Sequence, residues 1–404
     1  MSTTDQVPGQ TVRAVNAVIQ STGSMTETLH PPFAYRMTIA EQYKAFRSDP
    51  RNADLRLTDM RRSGALEMSI GSSVSSENPF QPPAHFPIEL ERLEGPIARR
   101  EIPVHRGKTG FHYFLDGTQK TLPVDRAGLV PVIAAFAAAG ILERNTRGES
   151  SLLAGSLREK KTWIFPQLTG SAELARWEEA ILHWGEVIED PLLLSSGEPC
   201  PYYPELSGHY GRLIELSQRM SGKLRGELET DLLHSWATEV SPSFPDRWIV
   251  VDGRLQQDIP RALGLVKSLH TQHLGGNEAI ELFELPQGYR TSAFRYVSRH
   301  AELDQRNDAP ADQESDAPTH NRTMWYQRFW DASGLDARHG LVRIEAPHDV
   351  NSTEEIDLLA SWLISERLPR PTMDPRWPTL LYPIHFLEEI LKRRIAAMTA
   401  GWPS

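Results

Sequence analysis

Phe111-His112-Tyr113-Phe114-Leu115-Asp116-Gly117-Thr118-Gln119-Lys120-Thr121-Leu122-Pro123-Val124 is the stretch on which the reading of the fold turns. An apolar run, Tyr113 to Leu115, ends in Asp116-Gly117-Thr118, and a strand-like pattern resumes beyond it. The same figure returns later, where Trp248-Ile249-Val250-Val251 ends in Asp252-Gly253-Arg254-Leu255. Each is a buried-type strand that delivers an aspartate at its end, followed by a glycine. Asp-Gly after a strand is also an ordinary turn signal, so either copy alone says little. Two copies, with an acid-bearing helix between them, say more.

Working outward, Gln119 to Val124 either continues the first strand or turns. The alanines of Gly128 to Glu143 permit a helix, but Val130-Pro131-Val132-Ile133 and the placement directly behind the first strand favour a hairpin partner. Lys160 to Phe165 reads as a third strand. Glu173 to Ile188 is helical, with Leu174, Trp177, Ile181, Leu182 and Trp184 on one side, and Tyr210 to Trp236 is a long helix with apolar residues at helical spacing. Further strands are expected at Tyr289 to Tyr296, Met324 to Trp330 and Gly340 to Glu345. Asn351 to Glu366 is a helix capped by Asn351 or Ser352, and Tyr382 to Met398 is a closing helix with Pro383 in its first turn. Strands first, then helix, strand and more helices predict an α/β fold of mixed α+β type. Residues 1–95 read as a partly disordered N-terminal extension and 96–404 as the main domain, interrupted by a polar, proline-containing insert at 303–321.

At 404 residues, 39% hydrophobic and 24% charged, the chain has ample material for a core. Cys200 is its only cysteine, which excludes a disulfide framework and a cysteine zinc cluster and fits a reducing, cytoplasmic setting. The start shows no signal-peptide pattern, and the longest apolar run, Leu129 to Leu142, is too short to span a bilayer, so no membrane role is expected. The net charge of −10 argues against a generally basic nucleic-acid coat protein, yet a local basic groove beside a carboxylate site is compatible with it.

Two aspartates at the ends of neighbouring strands, joined by a third carboxylate from a packed helix, make a set of oxygen ligands for hard divalent cations. Such sites support two-metal cleavage of phosphodiesters. In Leu224-Arg225-Gly226-Glu227-Leu228-Glu229-Thr230-Asp231, Glu229 shares a face with Leu232, Leu233 and Trp236 and lies one turn from Arg225, while Glu227 falls on another face. Glu229 is therefore the preferred third acid. Lys267, read as following Asp252 by a turn and part of a helix, is placed to hold a phosphate or a carboxylate. Tyr382 is placed to bring a phenol near the site. His270 and His273, three apart, read as structural or surface residues rather than metal ligands. Trp325, Tyr326, Phe329 and Trp330 read as core or interface aromatics in preference to base-stacking ones.

The ordered set Phe114-Leu115-Asp116-Gly117-Thr118, Arg225 to Glu229, Val251 to Leu255, Gly264-Leu265-Val266-Lys267-Ser268 and Tyr382-Pro383 resembles the NurA family of nucleases, over roughly Arg99 to Arg394. The resemblance implies an RNase H-like core with a mixed central sheet flanked by helices. It implies Mn²⁺- or Mg²⁺-dependent cleavage of DNA, a homodimer, and a HerA-type hexameric ATPase as partner, in DNA end processing or defence against foreign DNA. By the same resemblance Asp116, Glu229 and Asp252 are the metal carboxylates, and Lys267 and Tyr382 support them. One position departs: Ile390 stands where the family commonly has a further His or Asp, with His385, Glu388 and Glu389 on neighbouring turns.

Two other classes use Asp-Gly-Thr. Haloacid-dehalogenase-type phosphatases need a nucleophilic aspartate where this chain has Phe114, which excludes them. Actin- and hexokinase-like ATPases need glycine-rich phosphate hairpins, and Arg254-Leu255-Gln256 offers no second glycine. The non-enzymatic alternative is an inactive RNase H-like scaffold of an ATPase complex. Ile390 favours it, and three retained acids speak against it.

Overall fold

The computed structural model describes Pro50 and residues 89–399, apart from 184, 195, 268–272, 298–321 and 375. All regular elements below lie in one compact unit, Thr58–Ser404. In chain order they are β1 (Glu89–Arg92), β2 (Arg99–Glu101), β3 (Phe111–Ala127), β4 (Val130–Arg144), β5 (Ser150–Leu152), β6 (Arg158–Ile164), α1 (Ala172–His183), β7 (Ile188–Glu189), α2 (Tyr203–Ser207) and α3 (Tyr210–Ser235). There follow β8 (Trp248–Asp252), β9 (Ala262–Val266), α4 (Gly276–Phe283), β10 (Tyr289–Thr291), β11 (Phe294–Val297), β12 (Thr323–Arg328), β13 (Leu341–Ala346), α5 (Thr353–Glu366) and α6 (Tyr382–Met398).

The centre of the sheet runs β6-β4-β3-β8-β9. β4 is antiparallel to both β3 and β6, while β3, β8 and β9 run parallel. β3, β4 and β6 form an antiparallel meander, with the short β5 on β4, and β8 and β9 add in parallel on the far side of β3, which gives the expected α/β fold of mixed α+β type with a mixed central sheet flanked by helices. β13, β12 and β11 extend the sheet beyond β9, and β1 closes that edge. β4 is buried along Val130 to Leu142, as a strand covered on both faces must be, so its alanines serve close packing rather than helix formation. β3 alternates: Phe114 joins one core cluster with Ile384, Leu387 and Leu391 of α6, and Tyr113 and Leu115 join another with Leu232 and Leu233 of α3 and the adjoining Trp236.

Helix boundaries follow local chemistry. The Ser352 hydroxyl accepts from the Glu355 N–H, and Glu354 and Glu355 occupy the first turn of α5. Pro383 sits in the first turn of α6. Several expectations need correction. α1 ends at His183, Ile188 is already strand, and Leu182 is exposed rather than on the buried side. Tyr289 to Tyr296 is two strands, because β10 pairs with β2 and β12 while β11 pairs with β1 and β12. The segment before Lys267 is strand β9, not helix. The sheet begins at Glu89, ahead of the expected boundary at 96. The insert at 303–321, Trp184 and His270 lie outside the described residues. Among the described residues, no helix is long and apolar enough to cross a membrane.

Candidate carboxylate site

Only one of the two aspartates ends its strand as expected: β8 stops at Asp252, whereas β3 runs on through Asp116-Gly117-Thr118 to Ala127, because β4 pairs with it along that length. The parallel pairing of β3 with β8 reaches Leu115 and Val251, which puts Asp116, inside β3, beside Asp252 on adjacent strands about 4.8 Å apart. Asp116 is 3% exposed, and its Oδ1 accepts the Gly117 N–H at 2.8 Å. Asp252 is held from β9: Lys267, the residue after that strand, donates from Nζ to Asp252 Oδ2 at 2.7 Å. The pairing of Asp252 with Leu265 accounts for this reach, since Lys267 leaves β9 on the level where β8 ends.

Glu229 arrives from α3, and a glycine makes room for it. A Cβ on Gly117 would stand 2.3 Å from Glu229 Oε1 and 2.9 Å from Arg225 Cγ, closer than atoms can approach. Any side chain at 117 would have to displace Glu229 and Arg225, so the glycine serves the packing of these two side chains against β3 rather than a turn. Arg225 Nη1 lies 3.5 Å from Glu229 Oε1, one helical turn away. Glu227, the competing acid, faces outward to Lys160 at 3.8 Å.

Electrostatics distinguish these acids. Burial pushes the Asp116 carboxyl well above the usual carboxylate range, and the charges of Asp252, Glu229 and Glu388 add to it against the opposing Lys267. Burial likewise raises Glu229 to about 7, with Asp252 adding and Arg225 opposing. Asp116, Glu229 and Asp252 are therefore three interacting acids with two side-chain cations, Lys267 and Arg225, beside them. Glu229 Oε1 is buried and makes no hydrogen bond.

Glu388 is the acid of α6 whose charge reaches Asp116. Its side chain is mostly buried and bridged by Arg376 at 2.7 Å and Lys392 at 3.3 Å. Burial opposes ionisation there, and the hydrogen bond and charge of Arg376 overcome it, so its carboxyl lies below the ordinary range. Glu389 pairs with Lys392 at the surface, and Ile390 packs against the core. Of the neighbouring positions named from the sequence, Glu388 is the one that faces the site. Its signal was only its turn of helix.

The structure gathers Asp116, Glu229, Asp252 and Lys267. Tyr382 opens α6 and is 58% exposed. Trp325, Tyr326 and Phe329 are fully buried core residues, as expected. His273 stacks edge-on against Tyr296 at 5.0 Å, and its Nε2 lies 2.7 Å from Arg343 Nη1, a structural role. Among the described residues, no group of three or more His, Cys, Asp or Glu is disposed as a ready metal cluster. Lys267 and Arg225 instead lie against two of the carboxylates. The donor set still fits a hard divalent cation: all donors are carboxylate oxygens, one is buried without a hydrogen bond, and two are raised by burial and by neighbouring negative charge.

No protein-family model matches this chain, and no curated protein matches it. Among solved structures, the crystal structure of A. aeolicus Argonaute is similar at 11% sequence identity and a TM-score of 0.22. That match covers 70% of this chain and 29% of the Argonaute chain.

Proposed function

We propose that the chain is a metal-dependent DNA nuclease that hydrolyses phosphodiester bonds. The observation that carries this reading is the Asp116, Asp252 and Glu229 group, brought together by adjacent parallel strands and a helix packed on them, where burial and mutual repulsion raise two of the three acids. Lys267 stands against Asp252 and Arg225 against Glu229, yet burial and neighbouring negative charge still raise Asp116 and Glu229, and acids perturbed in this way concentrate at functional sites. Mn²⁺ or Mg²⁺ bound by Asp116, Glu229 and Asp252 supplies charge neutralisation at the phosphate and acidifies a water nucleophile.

The chain's own residues have distinct tasks in this reading. Asp116 and Asp252 are fixed by strand backbone, and Glu229 by the contact of α3 with Gly117. Lys267 orients Asp252 and supplies positive charge to a phosphate when Asp252 turns to a cation. Tyr382, exposed at the start of α6, presents its ring and phenol to DNA outside the carboxylate group. A HerA-type hexameric ATPase as partner, a homodimer, and a task in end processing or defence rest on the ordered NurA-like motifs.

The scaffold reading draws on Ile390 and on the lack of a ready metal cluster among the described residues. Cleavage decides between them. Purified protein, alone and with its ATPase, is expected to cut DNA in Mn²⁺, Asp252→Asn to lose this by more than the roughly 10- to 100-fold that supporting residues cost, and Glu227→Gln to retain it. No cleavage by the wild type under either condition establishes the scaffold instead.

A further inference from the structure

The residues Gly253 to Leu255, which leave Asp252 and carry the chain away from β8, are fastened to the rest of the sheet at two points. The Gly253 N–H donates to the Leu265 carbonyl at 3.0 Å. The Leu255 N–H donates to Glu345 Oε2 at 3.1 Å. Glu345 stands on β13 directly opposite Gly264 of β9. Gly264 has no side chain because the turn occupies that place: a Cβ there would lie 2.8 Å from the Gly253 carbonyl oxygen and 3.0 Å from the Leu255 nitrogen. The turn thus lies across Gly264 and ends on the carboxylate of Gly264's own cross-strand partner.

Glu345 is more than a buried cap. It is 2% exposed, and Arg343 donates to its Oε1 from Nη2 at 2.8 Å and from Nε at 3.2 Å, while Arg322 approaches Oε2 at 3.4 Å. A neutral side chain could satisfy one N–H. A carboxylate held by two guanidinium groups cannot rotate, and burying it carries a desolvation cost that a single amide contact does not explain. We infer that Glu345 is a positioning residue for the cation site, acting through the Leu255 N–H to fix the turn behind Asp252. This rests on the nuclease reading above, and deepens it.

The test uses the full chain. In Glu345→Ala, hydrogen exchange of the Leu255 amide is expected to accelerate, while exchange in α3 and β4 stays unchanged. Mn²⁺ affinity by calorimetry is expected to fall about 10- to 100-fold, as for other supporting residues of metal sites. Glu345→Gln, which keeps an acceptor for Leu255, is expected to recover most of both. If Glu345→Ala does not fold, Gly264→Ala displaces the same turn from below with Glu345 and its arginines intact, and the same loss of Mn²⁺ affinity is expected. Unchanged Leu255 exchange in Glu345→Ala, or wild-type Mn²⁺ affinity in folded Glu345→Ala or Gly264→Ala, overturns the inference. If the wild type binds no Mn²⁺, the cation reading fails, and the exchange arm alone upholds or rejects the fastening of the turn by Glu345.

Discussion

Among the described residues, the acids around Arg290 and the acids around Asp116 are treated in opposite ways. Glu94, 1% exposed at its side chain, meets the fully buried Arg290 through two short contacts, 2.6 Å and 2.8 Å, and Asp357 takes the remaining side of the guanidinium at 2.6 Å. Burial alone would raise Glu94; the Arg290 and Ala293 hydrogen bonds and the Arg290 charge bring it down to about 2. In the group around Asp116, burial wins. Asp116 and Glu229 are raised because burial and neighbouring negative charge outweigh what Lys267 and Arg225 offset. An acid that serves the fold is neutralised on the spot, and an acid kept under repulsion is one for which the fold needs a further positive charge.

The largest effect expected within this comparison is at the paired group. Arg290→Ala leaves Glu94 buried without its counter-charge and is expected to destabilise the protein by about 3–5 kcal/mol in urea unfolding. A loss no greater than that of an ordinary surface change, within about 0.5 kcal/mol, breaks the comparison from that side.

The next effect has the opposite sign. Glu229 has a folded-state value of about 7 against an ordinary 4.5. The folded protein holds this proton more tightly than the unfolded chain, so the contribution is complete below about pH 4.5 and is lost as pH rises through about 7. Above that, ionised Glu229 costs the metal-free fold on the order of 3 kcal/mol. Glu229→Gln is therefore expected to be the more stable protein at pH 8 in the presence of a chelator, with the gap closing toward pH 5. Adding Mn²⁺ is expected to raise the melting temperature of the wild type and not of the variant. A wild type as stable as Glu229→Gln at pH 8 in chelator shows that these acids are already neutralised.

Much of this was legible in the sequence. β8 announces itself because a buried strand ending in Asp-Gly is a local pattern, and α3 because its leucines recur at helical spacing; the same Asp-Gly figure lies inside β3, which continues to Ala127 because β4 pairs with it there. Glu229 could be chosen over Glu227 from helical geometry alone. Non-local features stayed hidden. The break between β10 and β11 comes from partners far away in the chain, Arg99 to Glu101 on one side and Glu89 to Arg92 on the other. β9 was obscured because a five-residue apolar strand and a buried helical turn share the same short pattern. The need for glycine at 117 and 264 is visible only once α3 and the Gly253 turn lie against them. Glu388 differs from its neighbours on α6 only in the direction its turn faces.

The central claim is that Asp116, Asp252 and Glu229 together hold a divalent cation. Crystals soaked in Mn²⁺ and measured at the manganese absorption edge test it most directly. An anomalous peak between the Asp116 and Asp252 carboxylates, within reach of Glu229 and with Lys267 displaced from Asp252, is the expected result. A Mn²⁺-dependent nuclease whose only manganese peak lies elsewhere would contradict it.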